Sequence, residues 1–151
     1  MAADDEEKSA IAQWAVQLRK GTLGLAVMAS LWSEKLYGLE IIRRLQLDAA
    51  LAVAEGTIYP LLNRLKADGL VSSEWVEAEG GHPRKYYALT PKGREAVTWM
   101  TRGWWAFSMG LNRLLAPLEP DLAKDRRLPS WASPPNPSQD PDQDPDEESG
   151  Q

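Results

Sequence analysis

Residues 54–90 read AEGTIYPLLNRLKADGLVSSEWVEAEGGHPRKYYALT. Ile58, Leu61, Leu62 and Leu65 fall at i, i+3, i+4 and i+7, one apolar stripe that predicts a helix packed on a core. At 3.6 residues per turn the other side carries Gly56, Pro60, Asn63, Arg64 and Ala67, flanked by Thr57, Tyr59 and Lys66. Pro60 lacks a backbone donor, so the helix is expected to begin only just before it, with a loosened first turn. Gly69 is placed to end it.

The second half of the stretch predicts a hairpin. Leu70, Val71, Trp75 and Val76, then Tyr86, Tyr87 and Leu89, have strand character. Glu77 to Gly81 can turn the chain, and Pro83 stiffens the return. His82, Arg84 and Lys85 are expected at or near the tip, free to meet phosphates. Ion pairing of Arg84 and Lys85 with Glu77 and Glu79 is the competing use of those charges. A polar, cationic helix face beside a cationic hairpin has the parts of a duplex-DNA reader, with Asn63 suited to adenine and Arg64 to guanine. The helix alone is equally compatible with a solvated surface face.

Working outward, Leu23, Leu25, Ala26, Val27, Leu31 and Trp32 predict a nearly all-round apolar helix over 22–33, suited to a buried position. It is too short to cross a bilayer. Tyr37, Ile41, Ile42 and Leu45 predict a second helix over 37–46, with 47–54 as the turn into the groove-facing helix. The expected order is helix, helix, helix, strand, strand.

Beyond the hairpin, Thr90 can cap and Pro91 can open a long helix. Val97, Met100, Trp104, Phe107, Leu111 and Leu114 alternate spacings of three and four, a heptad seam that reads as a dimer interface. Gly103 and Gly110 lie beside it and would admit a second helix closely. Upstream, Ile11, Trp14, Ala15 and Leu18 share one face that can clasp a partner's long helix. Packing onto its own domain is the alternative for the heptad seam. Trp14, Trp104 and Phe107, near Trp99 and Trp105, also suit a pocket for planar aromatic ligands, although aromatics at helical spacing are more often plain core or interface.

The formal charge of −5 departs from the basic footprint of DNA-binding chains. Charge is unevenly distributed, however. Setting aside the four acids at 4–7, the six at 140–148 and Lys8 leaves 12 acids against 16 bases, and local charge decides affinity. The Pro-, Asp- and Ser-rich tail cannot bury enough apolar surface to order itself. It is expected either to compete with DNA for a basic surface or simply to solubilise the chain. With no cysteine, disulfides and thiolate chemistry are excluded.

Several blocks resemble the PadR family of bacterial transcriptional regulators: residues 36–42 (LYGLEII), 55–65 (EGTIYPLLNRL) and 68–70 (DGL), then Trp75, 80–87 (GGHPRKYY), Leu89-Thr90 and Gly93. The resemblance spans roughly residues 18–115. It implies a dimeric winged-helix repressor, often of an efflux, detoxification or stress gene, in some members released by a small ligand. The clasping amino-terminal helix is likewise a feature of many PadR-like dimers. In multidrug-sensing relatives a tryptophan on the last helix lines a cavity between subunits, and Trp104 is the matching position. His82 stands where an arginine or another polar residue is common.

The expected architecture is therefore α+β: a winged helix-turn-helix domain with an amino-terminal helix and a long carboxy-terminal dimerisation helix. Its parts are a disordered acidic leader (1–9), the winged domain with its amino-terminal helix (10–90), the dimerisation helix (91–116) and a disordered acidic tail (117–151). Expected DNA contacts are Gly56, Thr57, Tyr59, Pro60, Asn63, Arg64, Lys66, His82, Arg84 and Lys85. Expected partners are double-stranded DNA, a second copy and a planar aromatic effector, with no membrane, cofactor or metal and a cytoplasmic location. His82, the single histidine, lies in the hairpin with no nucleophile arranged around it, so no catalysis is expected. A winged-helix adaptor that holds a protein partner without sensing an effector is the alternative.

Overall fold

The computed structural model describes residues 2–49, 51–77, 79–129 and 132, with side chains from residue 9 onward. Its elements run α1 (Ala2–Ser30), β1 (Leu36–Tyr37), α2 (Gly38–Ala49), α3 (Glu55–Ala67), β2 (Val71–Glu77), β3 (Pro83–Leu89) and α4 (Pro91–Leu115), then a 3-10 turn (Ala116–Leu118) and a short α5 (Glu119–Leu122). The three strands form an antiparallel sheet in the order β1-β3-β2. β2 pairs with β3 from Val71↔Leu89 to Glu77↔Pro83, and β1 adds Leu36↔Tyr87 and Tyr37↔Tyr86 on the other edge. This is an α+β winged helix-turn-helix with a long helix at each end.

The core is built from the periodic apolar residues. Ile58, Leu61, Leu62 and Leu65 of α3 are all buried, and they meet Ile41 and Leu45 of α2, Val27, Met28 and Leu31 from the end of α1, and Val71 and Tyr87 from the wing. Ile41, Ile58 and Leu62 are wholly inaccessible. Truncating one of them to alanine removes transfer energy and leaves a cavity, a loss of about 2–5 kcal/mol.

Several expected boundaries move. The two amino-terminal helices are one, since no proline interrupts residues 2–30 and the glycines at 21 and 24 cost a helix interior only about 1 kcal/mol each. Its backbone is helical from Ala2, so the leader expected to be disordered at 2–9 forms its first turns. The helix stops at Ser30, which leaves Trp32 exposed beneath the Arg94 guanidinium, 5.0 Å from the ring centroid, and not buried in a helix as expected. α2 continues to Ala49, three residues past Gln46, because residues 47–49 contain no breaker. The residues Ala116 to Leu122, expected to begin a disordered tail at 117, are helical. Pro120 stands in the first turn of α5, where its missing donor costs nothing, and Asp121 pairs with Lys124 at 2.8 Å. The tail beyond residue 132 lies outside the described residues.

α3 begins at Glu55, five residues before Pro60 and not just before it. The Ala54 carbonyl accepts from the amides of Thr57 and Ile58 and closes the first turn without a side-chain cap. Pro60 withholds its bond from the carbonyl of Gly56, and that residue is exposed, so water can take the donor's place. The far end closes as a Schellman motif: the Gly69 amide reaches Lys66 and the Leu70 amide reaches Leu65, with Gly69 at φ 74°.

That same corner anchors α4. The Thr90 hydroxyl donates to the Gly69 carbonyl at 2.6 Å and accepts from the Gly93 amide, while the Thr90 amide reaches the Leu70 carbonyl. Lys92 donates to the Asp68 carbonyl at 2.8 Å. A Cβ on Gly93 would stand 1.9 Å from the Leu70 carbonyl oxygen, so only glycine fits there. The end of α3 and the start of α4 are thereby locked together.

Candidate nucleic-acid interface

The outer face of α3 is bordered by two grooves. The first, about 520 Å³, runs between α3 and the wing and is lined by Tyr59 and Asn63 from α3, Leu39 at the start of α2, and Tyr37, Trp75, Arg84, Lys85 and Tyr87 from the sheet. The second, also about 520 Å³, separates α3 from α1 and holds Thr57, Pro60 and Arg64 opposite Lys20 and Leu23. Tyr59 and Asn63 thus serve one flank of the helix, and Thr57 and Arg64 the other.

Tyr59 packs closely against the start of α2. A Cβ on Gly38 would come within 2.5–2.7 Å of three atoms of its ring and hydroxyl, so the glycine makes room for the tyrosine. Burial pushes the Tyr59 hydroxyl above its ordinary pKa, with the Glu55 carboxylate adding to the effect. Burial does the same to Tyr87, and Tyr59 contributes there.

The cations of the wing are more ordered than a turn would make them. Only His82 belongs to the turn, where Gly80 and Gly81 adopt φ 104° and 82°. Arg84 and Lys85, expected at or near the tip, stand inside β3 opposite Val76 and Trp75, because Pro83 already starts the strand. Successive strand residues face opposite sides. Arg84 stacks on Tyr37 at 4.6 Å, and Lys85 lies 6.0 Å from the centroid of Trp75 and 5.8 Å from that of Tyr87. Pairing with Glu77 or Glu79 is not what holds them; aromatic faces are.

Of the expected contacts, Tyr59, Asn63, Arg84 and Lys85 line the wing groove and Thr57, Pro60 and Arg64 the other. Gly56 is exposed in the first turn of α3. Lys66 is turned away, donating to Ser73 of β2 at 2.7 Å. Leu39, Trp75 and Lys20 were not anticipated. Trp75 had a legible signal: it falls two and four residues beyond Ser73 and Val71, on the face of β2 whose base is buried, past the point where the core ends.

Along α4 the seam divides. Val97, expected in a dimer contact, is only 6% exposed and belongs to the chain's own core. Met100, Trp104, Phe107, Leu111 and Leu114 are exposed, as are Ile11 and Trp14 of α1, while Leu18 is half-buried. A Cβ on Gly103 or Gly110 would meet nothing within 4 Å. Trp104 and Phe107 stand with ring centroids 6.4 Å apart, an open aromatic wall that lines neither groove described above.

Comparison with known proteins assigns this arrangement. The family model for the transcriptional regulator PadR-like family matches residues 27–98. A solved PadR-like transcription factor from Bacteroides fragilis is 44% identical, covering 66% of this chain and 95% of that one, with a TM-score of 0.57. This chain belongs to the PadR family. A PadR family regulator from Eggerthella lenta is 31% identical over 76% of this chain and 97% of its own, with a TM-score of 0.63. A transcriptional regulator of Mycobacterium tuberculosis is 50% identical over 46 residues, which span 30% of this chain and 42% of that protein's length. PadR proteins are transcriptional regulators and not enzymes, which fits a surface of cations and aromatics. Among the described residues of this PadR chain no helix is long and apolar enough to cross a membrane, and no group of three or more potential ligands could hold a metal ion.

Proposed function

We propose that this PadR protein is a cytoplasmic repressor that binds an inverted-repeat operator as a homodimer. The observation that carries the reading is the convergence of Tyr59 and Asn63 of α3 with Arg84 and Lys85 of the wing on one groove. α3 enters the major groove, where Asn63 and Arg64 read base edges, and the wing cations hold the backbone. The exposed seam of α4 meets the same seam of a second copy, with Ile11 and Trp14 closing over it. A twofold dimer presents two reading helices, so the operator repeats with inverted symmetry.

Gel-shift titrations at several salt concentrations, on a duplex selected from a random-sequence pool, test this. Arg84→Ala and Lys85→Ala should weaken all sequences alike and reduce the salt slope, whereas Arg64→Ala should relax base preference at a cost of about 1–3 kcal/mol. A folded Arg64→Ala, Arg84→Ala, Lys85→Ala protein that binds like wild type would sink the assignment. Absence of any salt-dependent retention of wild type on duplex DNA would favour the protein-binding adaptor.

A second reading, release by a planar aromatic effector, is supported by the tilted, exposed Trp104–Phe107 pair. In a dimer the wall would be closed by the partner, with Trp14 near its rim. An effector lowers DNA affinity only if it binds the DNA-incompetent arrangement better.

A further inference from the structure

The groove between α1 and α3 has a chemistry the DNA-reading helix alone does not explain. Thr57 sits at a junction. On one side it shares a wall with Pro60, Arg64 and Lys20. On the other a second depression, about 230 Å³, is lined by Thr57, the loop residues 51–54, and again Lys20, now with Arg19. Lys20 therefore borders the outer face of α3 from two directions. Among the described residues neither lining contains a carboxylate. The contrast is the depression between α2 and the sheet, where Lys35, Arg43 and Arg44 are interleaved with Glu34, Glu40 and Asp48, and where Lys35 and Arg44 are held in ion pairs with Glu74 and Glu34.

Lys20 is exposed, and among the described residues no ion pair or hydrogen bond occupies its ammonium. Arg19 beside it is partly committed, with its Nε donating to the Ala15 carbonyl at 3.3 Å. A cation on a flexible stem, without a carboxylate beside it, is a point charge available to an anion. The anion must reach a wall that also contains Thr57 and Arg64, where a backbone would run if α3 enters a DNA groove.

We propose that Lys20 of α1 is a third phosphate-contacting element, on the opposite flank of α3 from the wing, so that the duplex is held between α1 and β3. The inference rests on the reading of α3 as the groove-entering helix. Lys20 contacts phosphate and no base, so it contributes affinity and register but no sequence preference. Each phosphate neutralised adds about 0.9 to the slope of log affinity against log salt. Two copies in a bound dimer add twice that.

The test is a salt titration of wild type, Lys20→Ala and Lys20→Arg on a selected duplex and on an unrelated one of equal length. Lys20→Ala should lower the magnitude of the slope by about 0.9 per bound subunit and weaken both duplexes by the same factor, leaving their ratio unchanged. Lys20→Arg should restore the slope. A Lys20→Ala protein with wild-type slope overturns the proposal while leaving the DNA-binding reading intact. A changed ratio between duplexes overturns the assignment to phosphate. If wild type binds neither duplex, both readings fall together. The side chain is exposed, so an unchanged melting temperature for Lys20→Ala should accompany the result and rule out unfolding as its source.

Discussion

Gly38 and Tyr59 make a contact on which the wing groove depends. The methyl group of Gly38→Ala would collide with the movable end of the tyrosine ring and not with backbone. The expected outcome is a ring displaced into the groove, several-fold weaker DNA binding and a melting temperature little changed. Gel shift and thermal unfolding on one sample check it, and unaltered affinity would show that the tyrosine position is immaterial. Tyr59 and Tyr87 also carry an alkaline signature. Their folded pKa values are raised above 10, so the folded chain keeps these protons longer than the unfolded one. Their contribution is fully present below pH 10 and is lost as pH rises through the folded values. Urea unfolding between pH 8 and 11 should show stability falling at the alkaline end, less steeply for Tyr59→Phe, Tyr87→Phe. Equal slopes would contradict this. At this scale the sequence was legible where periodicity decided burial, as at Ile58 and Leu62. It was silent where a long side chain chose among neighbours distant in the chain. Nothing local to Lys66 announces Ser73, and nothing local to Lys20 announces Thr57.

Among the elements, α3 holds the main conflict between local preference and tertiary use. Pro60 lies inside the helix and forfeits a backbone bond, an arrangement sustained by the four buried residues of the apolar stripe. Pro60→Ala should raise stability by up to about 3 kcal/mol, measured by urea unfolding. Because the ring forms part of the outer face, DNA affinity need not follow. No gain in stability would mean that the surrounding packing, and not the helix, sets the local geometry. The proline explains why a later start was expected: propensity disfavours it in a helix interior, but burial of Ile58 rewards a start at Glu55. β1 was missed for a related reason. Two residues carry no period, and their strand exists only because Tyr86 and Tyr87 offer a free edge. The hairpin and Schellman closure, by contrast, were readable from Gly69, Gly80 and Gly81, since turn chemistry is local.

For the molecule as a whole, the exposed apolar surface of α4 is the proposed site of assembly. Leu111→Glu should bury an unpaired charge at a seam and yield monomers or insoluble protein, with operator binding falling as the half-sites separate. Sedimentation of wild type and variant decides, and a monomeric wild type at micromolar concentration would refute the seam. Planar cationic dyes should quench tryptophan fluorescence, and Trp104→Ala should remove most of that response while the dimer survives. Dyes that bind the variant as well as wild type would leave the aromatics with packing alone. Heptad spacing motivates the proposed seam, yet Val97 shows its limit: the spacing does not distinguish the chain's own core from a partner. The joint of Gly69, Thr90 and Gly93 gives assembly a mechanical meaning. α4 has 25 residues, so at 1.5 Å per residue it is a rod of about 37 Å. Fixed to the end of α3 at one tip, it works as a lever arm. A tilt of only about 5° at the joint would sweep the far tip through about 3 Å over that length, so in the proposed dimer a small wedge between two such rods would carry the two α3 helices out of step with the turns of a duplex.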